Sequence, residues 1–304
     1  MKNNTWILFS VAAALFWGVW GVISKLIAEN VNPYTNHVLF TVGMLLTLPL
    51  VWRKLRAERP NRPGISWGLV AGVLAVLGNV AVFQSFSLGG LAAIVIPLTN
   101  LYPLVTIAIA LLVFREKLSW INRVGIALSV PAFVMLSGQA SLFTNPSAVF
   151  AQLAPTSWLL FALLALLFWG VFSAAQKVTT NHISAEWAYA AFMVSCLALS
   201  LLFVALGLCN FTLSGRTVGL GSLAGMLNGL GVLCSFSAYK AEGKASQVTT
   251  IAGALQPVFT IGLAIAFLGE SISWLEIGGI AVAMLAALLL SNEPKKELYE
   301  PHPV

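Results

Sequence analysis

Ten apolar segments, each about 20 residues long, run through this chain of 304 residues and strongly constrain its fold. A helix of that length crosses the hydrocarbon core of a bilayer, which is about 30 Å thick. Only 9% of the residues are charged and 59% are hydrophobic, so the chain lacks the polar surface that a soluble domain needs. We therefore predict an all-α integral membrane protein with transmembrane helices at residues 5–26, 34–52, 66–87, 91–114, 119–138, 157–177, 185–208, 217–239, 245–268 and 273–291.

The distribution of lysine and arginine predicts the orientation of these helices, because short cytoplasmic loops retain an excess of both residues. With a cytoplasmic N-terminus, only Lys25 and Arg216 of the 16 lysines and arginines fall outside, and the other 14 fall inside. Reversing the chain would reverse this ratio. The sequence therefore predicts that the N- and C-termini are both cytoplasmic.

The chain repeats itself after about half its length. The segment LFWGVWGVISK at 15–25 is matched by LFWGVFSAAQK at 167–177, and Glu116 is matched by Glu270, 154 residues later. Each half holds five predicted helices, an odd number, so the second half must enter the membrane upside down relative to the first. Inverted repeats of this kind form transporters, with the substrate site between the halves. The predicted units are a first five-helix repeat at 1–139, an uncharged outer linker at 140–156, a second five-helix repeat at 157–292 and a cytoplasmic tail at 293–304.

These features together resemble the drug/metabolite transporter superfamily, and in particular its EamA-like group. The resemblance lies in the five-plus-five helices, the LFWG opening of each half and the pattern Glu-x-x-Ser-Trp at 116–120 and 270–274. It implies alternating-access transport of small organic metabolites, often the export of amino acids or related compounds. It also implies that the first four helices of each half surround a central cavity. The fifth helices, 119–138 and 273–291, would lie outside and support packing or a homodimer.

Polar and aromatic residues deep in the predicted spans are the candidates for lining that cavity, because polar groups in lipid are costly unless they face a cavity or a partner. Alternatively, the amides only bond neighbouring helices and the tryptophans only fill core volume. The candidates are Trp17, Asn79, Gln84, Asn100, Tyr102, Trp169, Asn228, Tyr239 and Gln256.

Prolines predict interruptions of the fourth helix of each half. Pro97 and Pro103 flank the stretch IPLTNLYP, and Pro257 is the counterpart of Pro103 in the second half. Each proline removes a backbone donor and disturbs the carbonyl four residues earlier. A broken helix at membrane depth is tolerated where it lines water or is buried in protein. The alternative is a proline kink without substrate contact.

Four charged residues at the ends of predicted spans also have candidate roles. Lys25 and Lys177 end the first helix of each half, and we consider both as gates or anion contacts. The alternative is that a lysine at a helix end extends to the headgroups and favours the negative end of the helix dipole. Glu116 and Glu270 precede the last helix of each half, and we predict that each caps the helix it precedes.

The residues missing from the sequence exclude several functions. All ten acidic residues are glutamates, so a Ser-His-Asp triad is not possible. The three histidines are scattered and suggest no metal site. The glutamates lie near span ends, so proton coupling through a buried carboxylate is not supported. We predict that the protein is not an enzyme, needs no metal or other cofactor and binds no nucleic acid.

We expect the partners to be the lipid bilayer, a small-molecule substrate and a possible second copy of the chain, in a bacterial inner membrane. One other function in transport stays open, namely the exchange of nucleotide sugars or phosphorylated sugars, which lysines facing the cavity would favour. A different class also stays open, namely a non-transporting membrane sensor or assembly factor.

Overall fold

The described secondary structure is entirely helical. The computed structural model describes residues 5–28, 30–112, 119–138, 154, 157–241 and 245–290. Within these ranges, a π-helical turn, Ala264–Leu268, follows the eleventh of twelve α-helices. The α-helices are α1 Thr5–Ala28, α2 Pro33–Leu45, α3 Leu48–Ala57, α4 Arg62–Ser87, α5 Ala92–Thr99, α6 Pro103–Leu112, α7 Trp120–Leu136, α8 Trp158–His182, α9 Ala185–Ala205, α10 Gly215–Lys240, α11 Ala245–Leu263 and α12 Trp274–Leu290.

Most of these helices are long and apolar enough to cross a membrane. Seven stretches in the described residues meet that condition, and α2 with α3, which bend by 59°, add an eighth if they form one span. The two remaining apolar helices, α7 and α12, have 17 residues each and reach about 25 Å at about 1.5 Å per residue. The predicted all-α membrane class is therefore confirmed, and the chain is a multi-pass membrane protein.

Polar side chains set the start of several helices. Asn32 accepts a hydrogen bond from the backbone N–H of Thr35 (2.8 Å) at the start of α2. Asn61 accepts one from Gly64 (2.8 Å) at the start of α4. Each cap satisfies one of the N–H groups that have no partner inside the helix. The two helices also begin with proline in the first turn, where the missing N–H costs nothing.

The long helices of the two halves pack crosswise. Helix α1 packs along α10 and α4 along α8, while α2 packs on α10 and α9 on α4. In the repeat, α8 is the counterpart of α1, α10 of α4, and α9 of α2. The pair α1–α10 therefore corresponds to α8–α4, and the pair α2–α10 corresponds to α9–α4. Helices α7 and α12 pack on each other. The packing therefore follows the repeat that the sequence shows.

Glycines allow the crosswise pairs to approach closely. Trp17 of α1 lies against Gly231 of α10, and Trp169 of α8 lies against Gly78 of α4. A Cβ atom at either glycine would collide with the indole. At Gly225 of α10, a Cβ atom would instead collide with a backbone carbonyl of α2. Small residues at such contacts are typical of helix packing in membranes.

The fourth span of the first half is interrupted between Pro97 and Pro103, but its counterpart in the second half is not interrupted. Helix α5 contains Pro97 and ends at Thr99, a turn occupies 100–102, and α6 begins at Pro103. Helix α11 runs through Pro257 to Leu263 without interruption. The predicted break at Pro257 is therefore wrong. A single proline removes one backbone hydrogen bond, which a buried helix can tolerate, whereas the first half has two prolines close together.

Glu270 caps a helix, but not the helix it precedes. Its two carboxylate oxygens accept hydrogen bonds from the backbone N–H groups of Ala92 (2.8 Å) and Ala93 (2.9 Å), at the start of α5. Helix α12 is capped instead by its own Ser273 and Glu276, whose side chains bond each other's backbone N–H. The prediction for Glu270 was therefore right about the type of contact and wrong about the helix, because the loop before α12 lies against the start of α5. Glu116 lies outside the described residues.

Candidate functional site

A cavity of about 70 Å³ lies among helices from both halves of the chain. Its wall is formed by α1, α4, the turn at 100–102 and α8 to α11. The lining residues are Trp17, Trp20, Ala75, Asn79, Asn100, Tyr102, Trp169, Phe172, Ser173, Gln176, Phe192, Asn228, Val232, Ser235, Tyr239, Val248, Ala252 and Gln256. Aromatic side chains with a few polar groups are typical of sites that bind small molecules.

The structure brings eight of the nine cavity candidates together on this wall. They are Trp17, Asn79, Asn100, Tyr102, Trp169, Asn228, Tyr239 and Gln256. The broken span contributes Asn100 and Tyr102 from its turn, and the unbroken α11 contributes Gln256. The two tryptophans come from equivalent positions of the two repeats, so the wall reflects the internal symmetry.

Gln84 is not part of the cavity wall. It lies on α4 five residues after Asn79, which does line the cavity. Five residues turn a helix by about 500°, so the two side chains leave α4 about 140° apart. The start and end of an apolar segment do not show which face of its helix points inward, so the sequence could not place Gln84 off the cavity wall.

Several lining residues had not been singled out from the sequence. Trp20 lies three residues after Trp17, and Gln176 lies seven residues after Trp169, so each shares a helical face with a predicted residue. On α10, Ser235 lies seven residues after Asn228 in the same way. Helical periodicity counted from the predicted residues would have found all three.

The indole of Trp20, which lines the cavity, is held by neighbouring rings. It is 1% exposed, and its ring lies 5.9 Å from that of Trp169 and 6.3 Å from that of Phe83. Such tilted ring pairs fix the position of a side chain through favourable quadrupole interactions. Phe172 and Phe192, which also line the cavity, pair at 6.0 Å. These rings give the cavity a rigid apolar frame in which the amides are set.

The two lysines that end the first helices do not line the cavity themselves, although the ring that Lys177 contacts does. Lys25 is 7% exposed, and its Nζ donates a hydrogen bond to the carbonyl of Phe86 (3.1 Å) at the end of α4. Lys177 places its Nζ 5.8 Å from the centre of the Tyr239 ring, at the end of α10. Phe86 and Tyr239 are equivalent positions of the repeat, 153 residues apart. Each lysine thus connects two helices of its own half.

The described residues contain no charged side chain on the cavity wall. The described part of the chain also has no group of three or more His, Cys, Asp or Glu that could hold a metal ion. The wall can therefore offer hydrogen bonds from amides, hydroxyls and indoles, together with aromatic faces. It is suited to binding a small molecule.

Comparison with known proteins decides the family. A model of the EamA-like transporter family matches residues 4–138 and matches again at residues 156–292. The chain belongs to this family. The resemblance predicted from the LFWG and Glu-x-x-Ser-Trp segments is thus confirmed, together with the wider drug/metabolite transporter superfamily. The double match means that each half of this EamA-like protein corresponds to one copy of the family's unit.

Full-length relatives carry transporter names. The chain is 26% identical to the uncharacterized transporter YwfM of Bacillus subtilis over 302 residues, which cover 98% of this chain and 97% of the relative. It is 23% identical to an uncharacterized transporter of Clostridium kluyveri, covering 95% and 94%. Small-molecule transport is therefore the function that the family suggests for this EamA-like protein.

Two further comparisons bear on architecture. An uncharacterized protein of Methanocaldococcus jannaschii is 26% identical over 135 residues, which are 44% of this chain but 97% of the relative. That relative therefore has the length of one repeat. A solved crystal structure superposes with a TM-score of 0.64 at 19% identity, covering 94% of this chain and 96% of the other. At this identity the match shows a shared fold.

Proposed function

We propose that this EamA-like protein transports a small organic metabolite by alternating access between two inverted repeats. The observation that carries the proposal is the cavity, whose wall combines residues of both halves in a chain that belongs to a transporter family. A site between two repeats can be exposed to either side of the membrane in turn when one repeat moves against the other. Export of amino acids or related compounds is the activity that the family resemblance favours.

We also propose ten membrane spans, with the repeats at 1–139 and 157–292, the linker at 140–156 outside, and the tail at 293–304 and the N-terminus in the cytoplasm. Helices α7 and α12 are then the fifth and tenth spans. Support comes from the lysine and arginine distribution, from the double family match and from the crosswise packing. We expect the protein in a bacterial inner membrane, with α7 and α12 as the surface for any homodimer.

The lack of a cation on the described cavity wall favours a substrate without phosphates over a nucleotide sugar. A nucleotide sugar carries phosphates that require cations. Lys25 and Lys177, the candidates for that role, are not among the lining residues. An assembly factor without transport activity would not require the cavity, whereas a sensor would bind its ligand there, so a flux measurement separates a sensor from a transporter.

The test is flux in proteoliposomes that contain the purified protein and a mixture of metabolites. Release or uptake of at least one compound, absent from empty vesicles, is the expected result. Folded protein that moves no compound would contradict the transport proposal and favour a sensor or assembly factor.

Cysteine substitution tests the placement of the cavity. Cysteines at Trp17, Asn100 and Gln256 should react with a small polar thiol reagent, and a transported compound should protect them. The matched control is a cysteine at Gln84, which lies off the wall and should show no protection. Equal protection at all four positions would contradict the assignment of the wall.

A further inference from the structure

Three nitrogen donors, all in residues that line the cavity and all almost fully enclosed, have no acceptor in the described part of the chain. They are the indole Nε1 of Trp20, the amide Nδ2 of Asn100 and the amide Nε2 of Gln176. Their side chains are 1%, 4% and 2% exposed. A buried donor that has lost its water without gaining an acceptor destabilises the protein, so groups of this kind are uncommon and call for an explanation.

The three donors belong to different parts of the fold but to one site. Trp20 comes from α1, Asn100 from the turn after α5, and Gln176 from α8 of the second half. The oxygen of the Gln176 amide has a partner of its own, since it accepts a long hydrogen bond from the Ser235 hydroxyl (3.5 Å). This bond orients the nitrogen of that amide away from Ser235.

The wall as a whole offers more donors than acceptors. Three indoles, those of Trp17, Trp20 and Trp169, can only donate. The residues described on the wall include no carboxylate, the side chain that can only accept. Amides and hydroxyls can do both and do not change this balance. A ligand that brings acceptor oxygens therefore complements the cavity better than one that brings donors.

We propose that Trp20, Asn100 and Gln176 bind a carbonyl-type oxygen of the substrate, in a compact metabolite that carries a carboxamide or a carboxylate. The proposal rests on the proposed transport function and specifies the chemistry of the same cavity. The wall described here has no cation, so a neutral carboxamide loses less on burial than a carboxylate. Because aromatic faces attract cations, an amine is the appropriate contrasting probe.

The first experiment compares three probes with one branched carbon skeleton: isobutyramide, isobutyrate and isobutylamine. Binding to the purified full-length protein is measured by calorimetry and by the shift in melting temperature. Binding of the amide, the carboxylate or both, with weaker or no binding of the amine, is the expected result. The ratio of the two carbonyl probes then identifies which group the wall prefers. The proposal would be overturned if the amine bound as tightly as either carbonyl probe, or if neither carbonyl probe bound.

The second experiment removes the donors one at a time. Gln176→Met deletes the N–H groups and keeps a side chain of similar length, whereas Trp20→Phe deletes the N–H together with part of the buried ring. Each should weaken binding of the preferred carbonyl probe about three- to tenfold, the range for loss of one hydrogen bond. The melting temperature of the empty Gln176→Met protein should change little, since it loses an unpartnered buried donor but also the acceptor of the long bond from Ser235. A purely structural role for Gln176 would instead lower it.

The control is Trp187→Phe, since the Trp187 indole already donates to the carbonyl of Glu58 (3.1 Å) and does not line the cavity. Its probe binding should equal that of the unsubstituted protein. Unchanged probe binding in Gln176→Met, or an equal loss of binding in the control, refutes the donor assignment. If Trp20→Phe does not fold, the result for Gln176→Met alone decides the test. Flux without binding of either carbonyl probe would overturn this inference alone. Carbonyl binding without flux of any compound would overturn the transport proposal alone.

Discussion

Replacing Glu270 should loosen the start of α5, a helix that is distant in the sequence. The Glu270 carboxylate accepts hydrogen bonds from the N–H groups of Ala92 and Ala93, at 2.8 and 2.9 Å. The residue at the N-cap position of α5, Leu91, supplies no side-chain bond. Glu270→Ala therefore leaves two N–H groups without their acceptor and also removes a negative charge from the positive end of the helix dipole.

We expect a loss of about 1–2 kcal/mol from this substitution, the usual range for a lost cap with a small dipole contribution. That free energy corresponds to a factor of about 5–30 in a local opening equilibrium. Amide hydrogen exchange measured by mass spectrometry should therefore become about 5–30 times faster at the start of α5. Glu270→Gln, which keeps one acceptor but loses the charge, should give a smaller acceleration.

The matched control is Glu276→Ala, which removes one of the two capping side chains of α12 from the first turn of that helix. Glu276 accepts hydrogen bonds from the backbone N–H and the hydroxyl of Ser273, at 2.8 and 2.7 Å. Its loss should accelerate exchange at the start of α12 and leave the start of α5 unchanged. Unaltered exchange at Ala92 and Ala93 in Glu270→Ala, or equal acceleration there in the control, would refute the assignment of the cap.

Other substitutions test the packing and the wall. Gly225→Ala should lower the free energy of unfolding by about 1–3 kcal/mol, because its Cβ would collide with a carbonyl of α2. Gly219→Ala on the same helix has open space and should raise the free energy of unfolding by up to about 1 kcal/mol. Chemical unfolding measures both values. Lys25→Met should cost about 1.5–3 kcal/mol by losing its buried bond to a carbonyl. Lys54→Gln, at an exposed ion pair, should leave the unfolding free energy unchanged. Binding of a neutral probe should be constant between about pH 5.5 and 8, since no described wall residue is Asp, Glu or His; a bell-shaped profile would contradict that wall.

Much of the candidate site could be predicted because polar and aromatic residues in lipid carry a strong signal. Asn79, Asn100 and Gln256 stood out in apolar segments, and all three line the cavity. The same argument failed for Gln84, since residue type does not tell which face of a helix points inward. It also overlooked Gln176, which lies beside the more conspicuous Lys177.

The sequence by itself determined the solvent, the helical class and the family of this protein. Apolar segments of about 20 residues require lipid, and lipid requires each backbone to satisfy its own hydrogen bonds within a helix. The repeated segments at 15–25 and 167–177 needed no structure to be recognised. These properties depend on short-range composition or on direct comparison of residues, so they can be read along the chain.

Only the tertiary structure decided which distant groups meet. Glu270 caps α5 across about 180 residues of chain, and Lys25 reaches the carbonyl of Phe86 and not the cavity wall. The donors of Trp20 and Gln176 share one wall because α1 and α8 are each packed against a helix of the other half. Such contacts arise from how close glycines let helices approach and from the rotation of each helix about its axis. Neither quantity is encoded in the hydrophobicity of a single segment.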